Sequence, residues 1–447
     1  MVGHRCYGPP GRFDRYYYID DEHWQEEVLA MKNVGSITLR ECSIVPFNKM
    51  FWTEIGTFMA EMSSRSVDLW MVLLAESGED APPQLEHLPL STILLELKGA
   101  HEYGAERVWF ARLPRTLKRL DLKGIVVMDL FDAGVMDLPS CQTIKGWSKS
   151  LPSSNTLPVN LKEISFSDNF TGPISSNNLP PQLESITLGM GVRHPLINLP
   201  ASVTKLSLPH GYEQQINHAP LLSLIYKRGP SVPDLVCPSL TSLECESVGI
   251  KELSRIHSAA FPKLTTLKLG RIDEDCWRGP LDLSTLPSTL RHLEISACGP
   301  ITGLPSELDT LMMSCTEEFR ITSSSTLPQS LRSLSMHQYA HALMSGDIPS
   351  NLVSLCLTLC RHCPHPGVLP TSLRRLEQYR AEPPDHLADI LACTTLIDIN
   401  LHGRNHGGLL ELRRINQSLF LNYSVHLPNF GFIDTNAILS KYKVAKH

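Results

Sequence analysis

Along most of the chain the apolar positions fall at fixed distances from a proline. The pattern is P-x-x-[L/V]-x-x-[L/I]-x-apolar, and copies start at Pro114, Pro158, Pro180, Pro200, Pro287, Pro305, Pro328 and Pro349. Pro370 opens another, with Leu373 and Leu376, in which Gln378 takes the last apolar place. Pro238 and Pro262 open copies one residue shorter (Leu240, Leu243, Cys245; Leu264, Leu267, Leu269). The closing apolar-x-apolar step has the period of a strand, in which neighbouring side chains point to opposite faces. Each copy therefore predicts a short strand with its leucines turned inward. Proline lacks an amide hydrogen and fixes φ, so it fits the turn ahead of such a strand and not the ladder itself.

Successive anchor prolines stand 18 to 25 residues apart, apart from two gaps of double length. A fixed period of this size predicts stacked coils, because one strand cannot bury its apolar face alone and a stack buries a continuous core. Leu138-Pro139 and Ala219-Pro220-Leu221-Leu222 lie in the two long gaps and read as degenerate repeats. Upstream, Val34-Ile37-Leu39 and the run from Leu88-Pro89 to Leu95 and Leu97 keep the spacing; downstream, Leu396-Ile399-Leu401 closes the series. Roughly fourteen to sixteen turns would fill nearly the whole chain.

These residues resemble a leucine-rich-repeat protein of the L-P-x-x-L type, from about Pro89 to Leu401. Similar proline-led repeats occur in the FNIP repeats of amoebae and large viruses and in the repeat domains of bacterial effector ligases. Asn169-Phe170 stands where FNIP repeats carry Phe-Asn, in reversed order. The general repeat has Asn or Cys in the turn after the strand. Cys42, Asn169, Cys298 and Cys360 fill that slot here, while Ile125, Gly191, Gly211, Ile272, Thr316 and Tyr339 fill it elsewhere. The resemblance implies an α/β fold: a right-handed solenoid with a curved parallel sheet on the concave face. An irregular convex side with a few short helices, and helical caps, complete the expectation.

The expected division is 1–63 as an N-terminal segment and helical cap with a first repeat-like strand, 64–403 as solenoid, and 404–447 as C-terminal cap and basic tail. Asp20 and Asp21 would start a helix through Trp24, Val28 and Met31, and Phe47, Phe51, Ile55, Phe58 and Met62 lie at helical spacing. Asp385 to Ala392 reads as a short convex helix, Leu409 to Phe420 as a capping helix, and Lys441 to His447 as a frayed tail.

Composition narrows the function classes. The formal net charge is −6, with acids and bases interspersed and no basic stripe, which argues against nucleic acid as a main partner. No apolar run is long enough to span a bilayer. The first residues carry Arg5, Arg12 and Arg15 among aromatics without the apolar core of a secretory signal. That points to an intracellular, cytoplasmic protein and leaves organelle import open. Twelve cysteines are scattered without framework spacing and read as reduced thiols. Sequons occur at Asn169, Asn416 and Asn422.

The register also names the outward strand residues. One column runs Asp121, Ser165, Thr187, Ser207, Glu244, Lys268, Glu294, Met312, Ser335, Cys356, Glu377 and Asn400. The column before it runs Arg119, Glu163, Ser185, Lys205, Ser242, Thr266, His292, Thr310, Ser333, Ser354, Arg375 and Asp398. Most are small and polar. Two groups are candidates for partner binding: Glu244, Glu246, Lys268, His292 and Glu294 in the middle, and Arg375, Glu377, Tyr379, Arg380, His402 and Arg404 near the C-terminal end. The second is favoured because interface hot spots are rich in Arg and Tyr. A solvated sheet surface is the plainer reading of both.

Cys356, Cys360, His362, Cys363 and His365 have metal-like density, but no second pair stands at the spacing of a zinc module, so no metal is expected. His402-Gly403-Arg404-Asn405-His406-Gly407-Gly408 lacks the ending of a phosphate loop, and no G-x-S-x-G or H-E-x-x-H occurs. No cysteine is followed two residues on by Asp, as the effector ligases' catalytic domain requires. The expectation is a non-enzymatic protein-interaction scaffold without cofactors, whose partners are proteins. A substrate receptor of a ubiquitin ligase, which resemblance to F-box-bearing repeat proteins would imply, and a secreted or surface recognition protein are the alternatives.

Overall fold

The computed structural model describes segments 13–18, 34–40, 68–75, 92–99 and 106–108, and much of the chain from Leu113 to Val444. Within that stretch 114, 124, 128–137, 149–150, 152–156, 228–234, 250–252, 273–280, 299, 316, 322–326, 363, 380–386, 403–408 and 424–430 lie outside the description. The helices expected around Trp24 and from Pro46 to Met62 fall outside the described residues.

The anchor proline works as the first residue of a β-turn. The carbonyls of Pro158, Pro180, Pro200, Pro287, Pro305, Pro328, Pro349 and Pro370 accept from the amide three residues on, at 3.0–3.3 Å. The donors are the apolar residues Leu161, Leu183, Val203, Leu290, Leu308, Leu331, Leu352 and Leu373, all buried. The copies that look one residue short make the same turn from the residue before proline: Leu240 donates to Cys237 at 3.0 Å and Leu264 to Phe261 at 3.3 Å. Proline then holds the second turn position, where its fixed φ is already correct. The repeat is thus not shortened; its proline has moved one step.

A hydroxyl or amide inside the turn ties several coils to their predecessors. Ser330 Oγ donates to the carbonyls of Ser306 (2.7 Å) and Leu308 (2.6 Å), and Ser372 Oγ to those of Ser350 (2.7 Å) and Leu352 (2.6 Å). Ser202 does the same to Pro181 and Leu183, and Asn160 and Asn351 reach one carbonyl each. These bonds satisfy turn carbonyls that the ladder leaves open.

The chain divides into two compact units, Met1–Leu221 with Pro233–Leu235, and Leu222–Val232 with Val236–His447. Each is a right-handed, largely parallel β-solenoid. The first unit pairs, in chain order and in parallel, β1 (Phe13–Tyr18), β2 (Val34–Arg40), β3 (Asp68–Ala75), β4 (Thr92–Gly99), β5 (Arg119–Lys123), β6 (Thr143–Trp147), β7 (Glu163–Phe166), β8 (Ser185–Thr187) and β9 (Lys205–Leu208). The degenerate repeat after Leu138 is a full member of this ladder, as β6. Two strands, β1 and β3, were not foreseen. β1 reads Phe-Asp-Arg-Tyr-Tyr-Tyr and lacks the aliphatic alternation.

The second unit continues the rule with β10 (Ser223–Tyr226), β11 (Ser242–Val248), β12 (Thr266–Ile272), β13 (His292–Cys298), β14 (Thr310–Cys315), β15 (Ser333–His337), β16 (Ser354–Thr358), β17 (Arg375–Tyr379) and β18 (Asp398–His402), all parallel. Then the direction reverses. β19 (Leu409–Arg414), β20 (Leu419–Asn422) and β21 (Gly431–Asp434) are antiparallel to their neighbours.

Each unit's core is the stack of inward leucines; Leu334, Leu355, Leu376 and Ile399 are all fully buried. Fully burying one such side chain is worth about 1.5–3 kcal/mol. A second buried row lies after the strands and is aromatic. The Phe166 and Phe170 rings lie tilted with centroids 4.4 Å apart, and Phe319 meets Tyr339 edge-on at 6.0 Å. The hydroxyl of Tyr339 accepts from the amide of Ile321 at 3.2 Å, and that of Tyr212 donates to the carbonyl of His194 at 3.0 Å. Tyrosine hydroxyls thus serve turn backbone groups, a task the sequence assigned to Asn and Cys. Burial pushes the Tyr212 phenol up to about 12, so it stays protonated.

Helix is scarce. α1 (Leu387–Ala392) lies within the convex helix expected at Asp385–Ala392, and α2 (Thr435–Val444) also lies near the C-terminus. The capping helix expected at Leu409–Phe420 is instead the strand pair β19–β20. Leu410 and Leu412 alternate with Glu411 and Arg413, a period of two that suits a sheet covering the last coil. The tail expected to fray carries α2 as far as Val444.

Candidate partner-binding face

The parallel register aligns the outward columns as the sequence lists them. In the second unit Glu244, Lys268, Glu294, Met312, Ser335, Cys356, Glu377 and Asn400 are successive neighbours. The degenerate repeats add Thr143 and Lys145 to the first unit's columns and Ser223 and Ile225 to the second's. A further outward column, His337, Thr358 and Tyr379, follows because these strands run five residues.

The middle group closes on itself. Lys268 Nζ lies 3.7 Å from Glu244 and 4.0 Å from Glu294, all half exposed. Such pairs contribute little stability and leave little uncompensated field. Glu246 and His292 are exposed on the same strands as Glu244 and Glu294.

The C-terminal group is more ordered. Arg375 donates to Glu377 through Nε at 3.0 Å and through Nη2. Asn400 Nδ2 donates to the same carboxylate at 3.1 Å, and Tyr423 OH donates to Asn400 Oδ1 at 2.9 Å. Burial opposes the Glu377 charge, but the Arg375 and Asn400 hydrogen bonds outweigh it and hold the carboxyl below its ordinary range. Tyr379 is exposed beside this network, and its hydroxyl is shifted up by partial burial and the nearby Glu377 charge. The backbone of His402 is its cross-strand neighbour. Arg380 and Arg404 lie outside the described residues. The arrangement can present a guanidinium edge and two phenol rings at fixed positions; Asn400 and Tyr423 entered this site only through tertiary contact.

The cysteine and histidine cluster is dispersed. Cys356 faces outward, whereas Cys360 is buried with its thiol directed at the carbonyls of Met336 (3.5 Å) and Thr358 (3.6 Å). His365 Nδ1 accepts from the Gly367 amide at 3.1 Å, capping the 3-10 turn Pro366–Val368, and His362 is exposed. Cys363 lies outside the described residues. Among the described residues no group of three or more His, Cys, Asp or Glu could hold a metal ion, and none forms a helix long and apolar enough to cross a membrane.

The sequence matches the FNIP Repeat family over residues 150–191, the stretch that carries β7, Phe170 and β8. A solved structure described as the crystal structure of CroV588, a novel circular LRR protein structure, is also similar: 16% sequence identity, a TM-score of 0.48, covering 89% of this chain and 70% of that chain. No curated protein matches. Over those residues the chain is similar to FNIP repeats, and its architecture is that of a repeat solenoid.

Proposed function

We propose that this protein is a non-enzymatic interaction scaffold that docks partner proteins on the outward sheet face at its C-terminal end, around Arg375 and Tyr379. The observation that carries the reading is the Arg375–Glu377–Asn400–Tyr423 network. It fixes hot-spot residue types on a rigid sheet, where most of the outward face is small and polar. In this reading the solenoid occupies 64–403 between an N-terminal segment, 1–63, and a C-terminal cap, 404–447. The reversal of strand direction after His402 supports the second boundary. A concave curvature of the parallel face belongs to the same reading. The described cysteines are free thiols, which favours a reducing, intracellular setting.

The test is affinity purification from the native cell at low and at high salt, with the wild type and with Arg375→Glu/Tyr379→Ala. A stoichiometric partner retained at high salt by the wild type and lost by the variant supports the assignment. Partners held equally by both place the interface elsewhere.

A further inference from the structure

One residue ahead of each strand is a position that the outward columns do not include. Before β15 to β18 it is held by Arg332, Val353, Arg374 and Ile397. Their backbones form one ladder: Val353 donates to the Arg332 carbonyl at 2.8 Å, Arg374 to that of Val353 at 2.8 Å and Ile397 to that of Arg374 at 2.7 Å. All four residues are exposed, Val353 and Ile397 at 38% each. The row forms a rim beside the Arg375–Tyr379 site.

Arg374 stands between the two aliphatic residues with its guanidinium held in place. Nη1 donates to the carbonyls of Thr371 (2.8 Å), Leu373 (3.2 Å) and Thr395 (3.3 Å). Among the described residues Nε and Nη2 have no partner, and no carboxylate pairs with Arg374. Its neighbours are matched: Arg332 has Asp309 at 3.7 Å, and Arg375 has Glu377. Asp398 stands in register between Arg375 and Arg413 in the outward rows. The turns 328–331, 349–352, 370–373 and 393–396 contain no acidic residue. The Nε–Nη2 edge of a guanidinium takes a carboxylate through two parallel hydrogen bonds. A fork already fixed through Nη1 loses little freedom on binding. A phosphate would want further donors around it, whereas Val353 and Ile397 offer aliphatic contact on either side.

We propose that this rim docks an acidic segment of a partner protein, an Asp or Glu on the Arg374 fork with aliphatic side chains against Val353 and Ile397. The inference rests on the reading that the C-terminal end binds proteins, and it names the partner's chemistry.

The experiment is carbodiimide cross-linking in the native-cell lysate, with the full chain as wild type and as Arg374→Lys, followed by peptide mapping. A carbodiimide joins an amine to a carboxylate in direct contact. Arg374→Lys is expected to form an amide bond from position 374 to one Asp or Glu of a partner, beside aliphatic residues; the wild type forms none there. Partner capture should fall about 10-fold with Arg374→Lys, which keeps the charge and loses the fork, and about 100-fold with Arg374→Glu. Ile397→Asp should also lower it about 10-fold. Unchanged circular dichroism and urea midpoints check that these variants fold. No cross-link from position 374 to a partner, or capture indifferent to Arg374→Glu, overturns the proposal. So does capture abolished by phosphatase treatment, which would assign the fork to a phosphate. Capture lost with Arg375→Glu/Tyr379→Ala but kept with Arg374→Glu would leave the docking reading standing and remove the acidic segment. Capture indifferent to both would remove the two together.

Discussion

Within the second unit, the parallel coils β10–β18 and the antiparallel meander β19–β21 solve the same problem by different means. Each coil buries its leucines against identical leucines in the next, so interchangeable apolar contacts hold the stack. The meander has no next coil. Besides the buried Leu410, Leu412 and Phe420, its inner face meets the last turn through a half-buried cation, Arg414, which donates to the carbonyls of Leu396 (2.8 Å), Leu391 (2.7 Å) and Cys393 (3.0 Å). It also lies 4.5 Å from the centre of the Phe420 ring. The carbonyls of Leu391 and Cys393 are at the C-terminal end of α1, where a helix leaves its acceptors open and favours a cation. Desolvation lowers the Arg414 pKa from its ordinary value. A repeat can rely on periodic burial; its end needs specific polar closure.

The sharpest way to break the comparison is to cut each side once. Leu355→Ala removes a fully buried side chain between Leu334 and Leu376 and is expected to cost about 2–5 kcal/mol, lowering the urea midpoint of the whole unit. A loss under about 1 kcal/mol would mean that coils do not share one core. Arg414→Ala leaves several carbonyls without a donor and is expected to cost about 2–3 kcal/mol. Its effect should be local: hydrogen exchange should rise in β19, β20 and α1 and stay unchanged in β11 to β14. Uniform acceleration would show that the meander and the coils open together.

Smaller changes sharpen the picture. Ser330→Ala removes a hydroxyl that serves two carbonyls of the preceding coil, and about 1 kcal/mol should be lost in chemical denaturation. An unchanged midpoint would mean that water replaces the hydroxyl there. The smallest effect concerns acid. The Glu377 carboxyl titrates below its ordinary value, so the stability it confers is complete above the unfolded carboxylate pKa. That increment disappears as the pH falls through the folded value, below about pH 4. Glu377→Gln should flatten the acid limb of the stability profile slightly, and a curve parallel to the wild type would assign that limb to other carboxylates.

The candidate site was legible in part. Arg375, Glu377 and Asn400 occupy the outward columns that the proline offset assigned them, and Tyr379 follows two residues beyond Glu377 on the same face. The network that orders them was not legible, because Tyr423 lies outside the repeat and reaches Asn400 only through the reversed strands. β19 and β20 were missed for a related reason: Leu409 to Phe420 reads as a capping helix in the sequence, although Leu410 and Leu412 alternate with charged residues. Gln378 shows the opposite case. It is buried at the last inward position, where the register put it despite its polarity.

Strand placement, inward and outward faces and register were determined by the sequence alone for the coils that carry the proline offset. They depend on side-chain alternation and on a four-residue turn, both local properties. The reversal after β18, the aromatic row behind the strands, the dispersal of Cys356 and Cys360 to opposite faces and the role of Arg414 were decided by the tertiary structure. Each depends on what stands beside a residue once the coils stack, and in a parallel solenoid that neighbour is about twenty residues away in sequence.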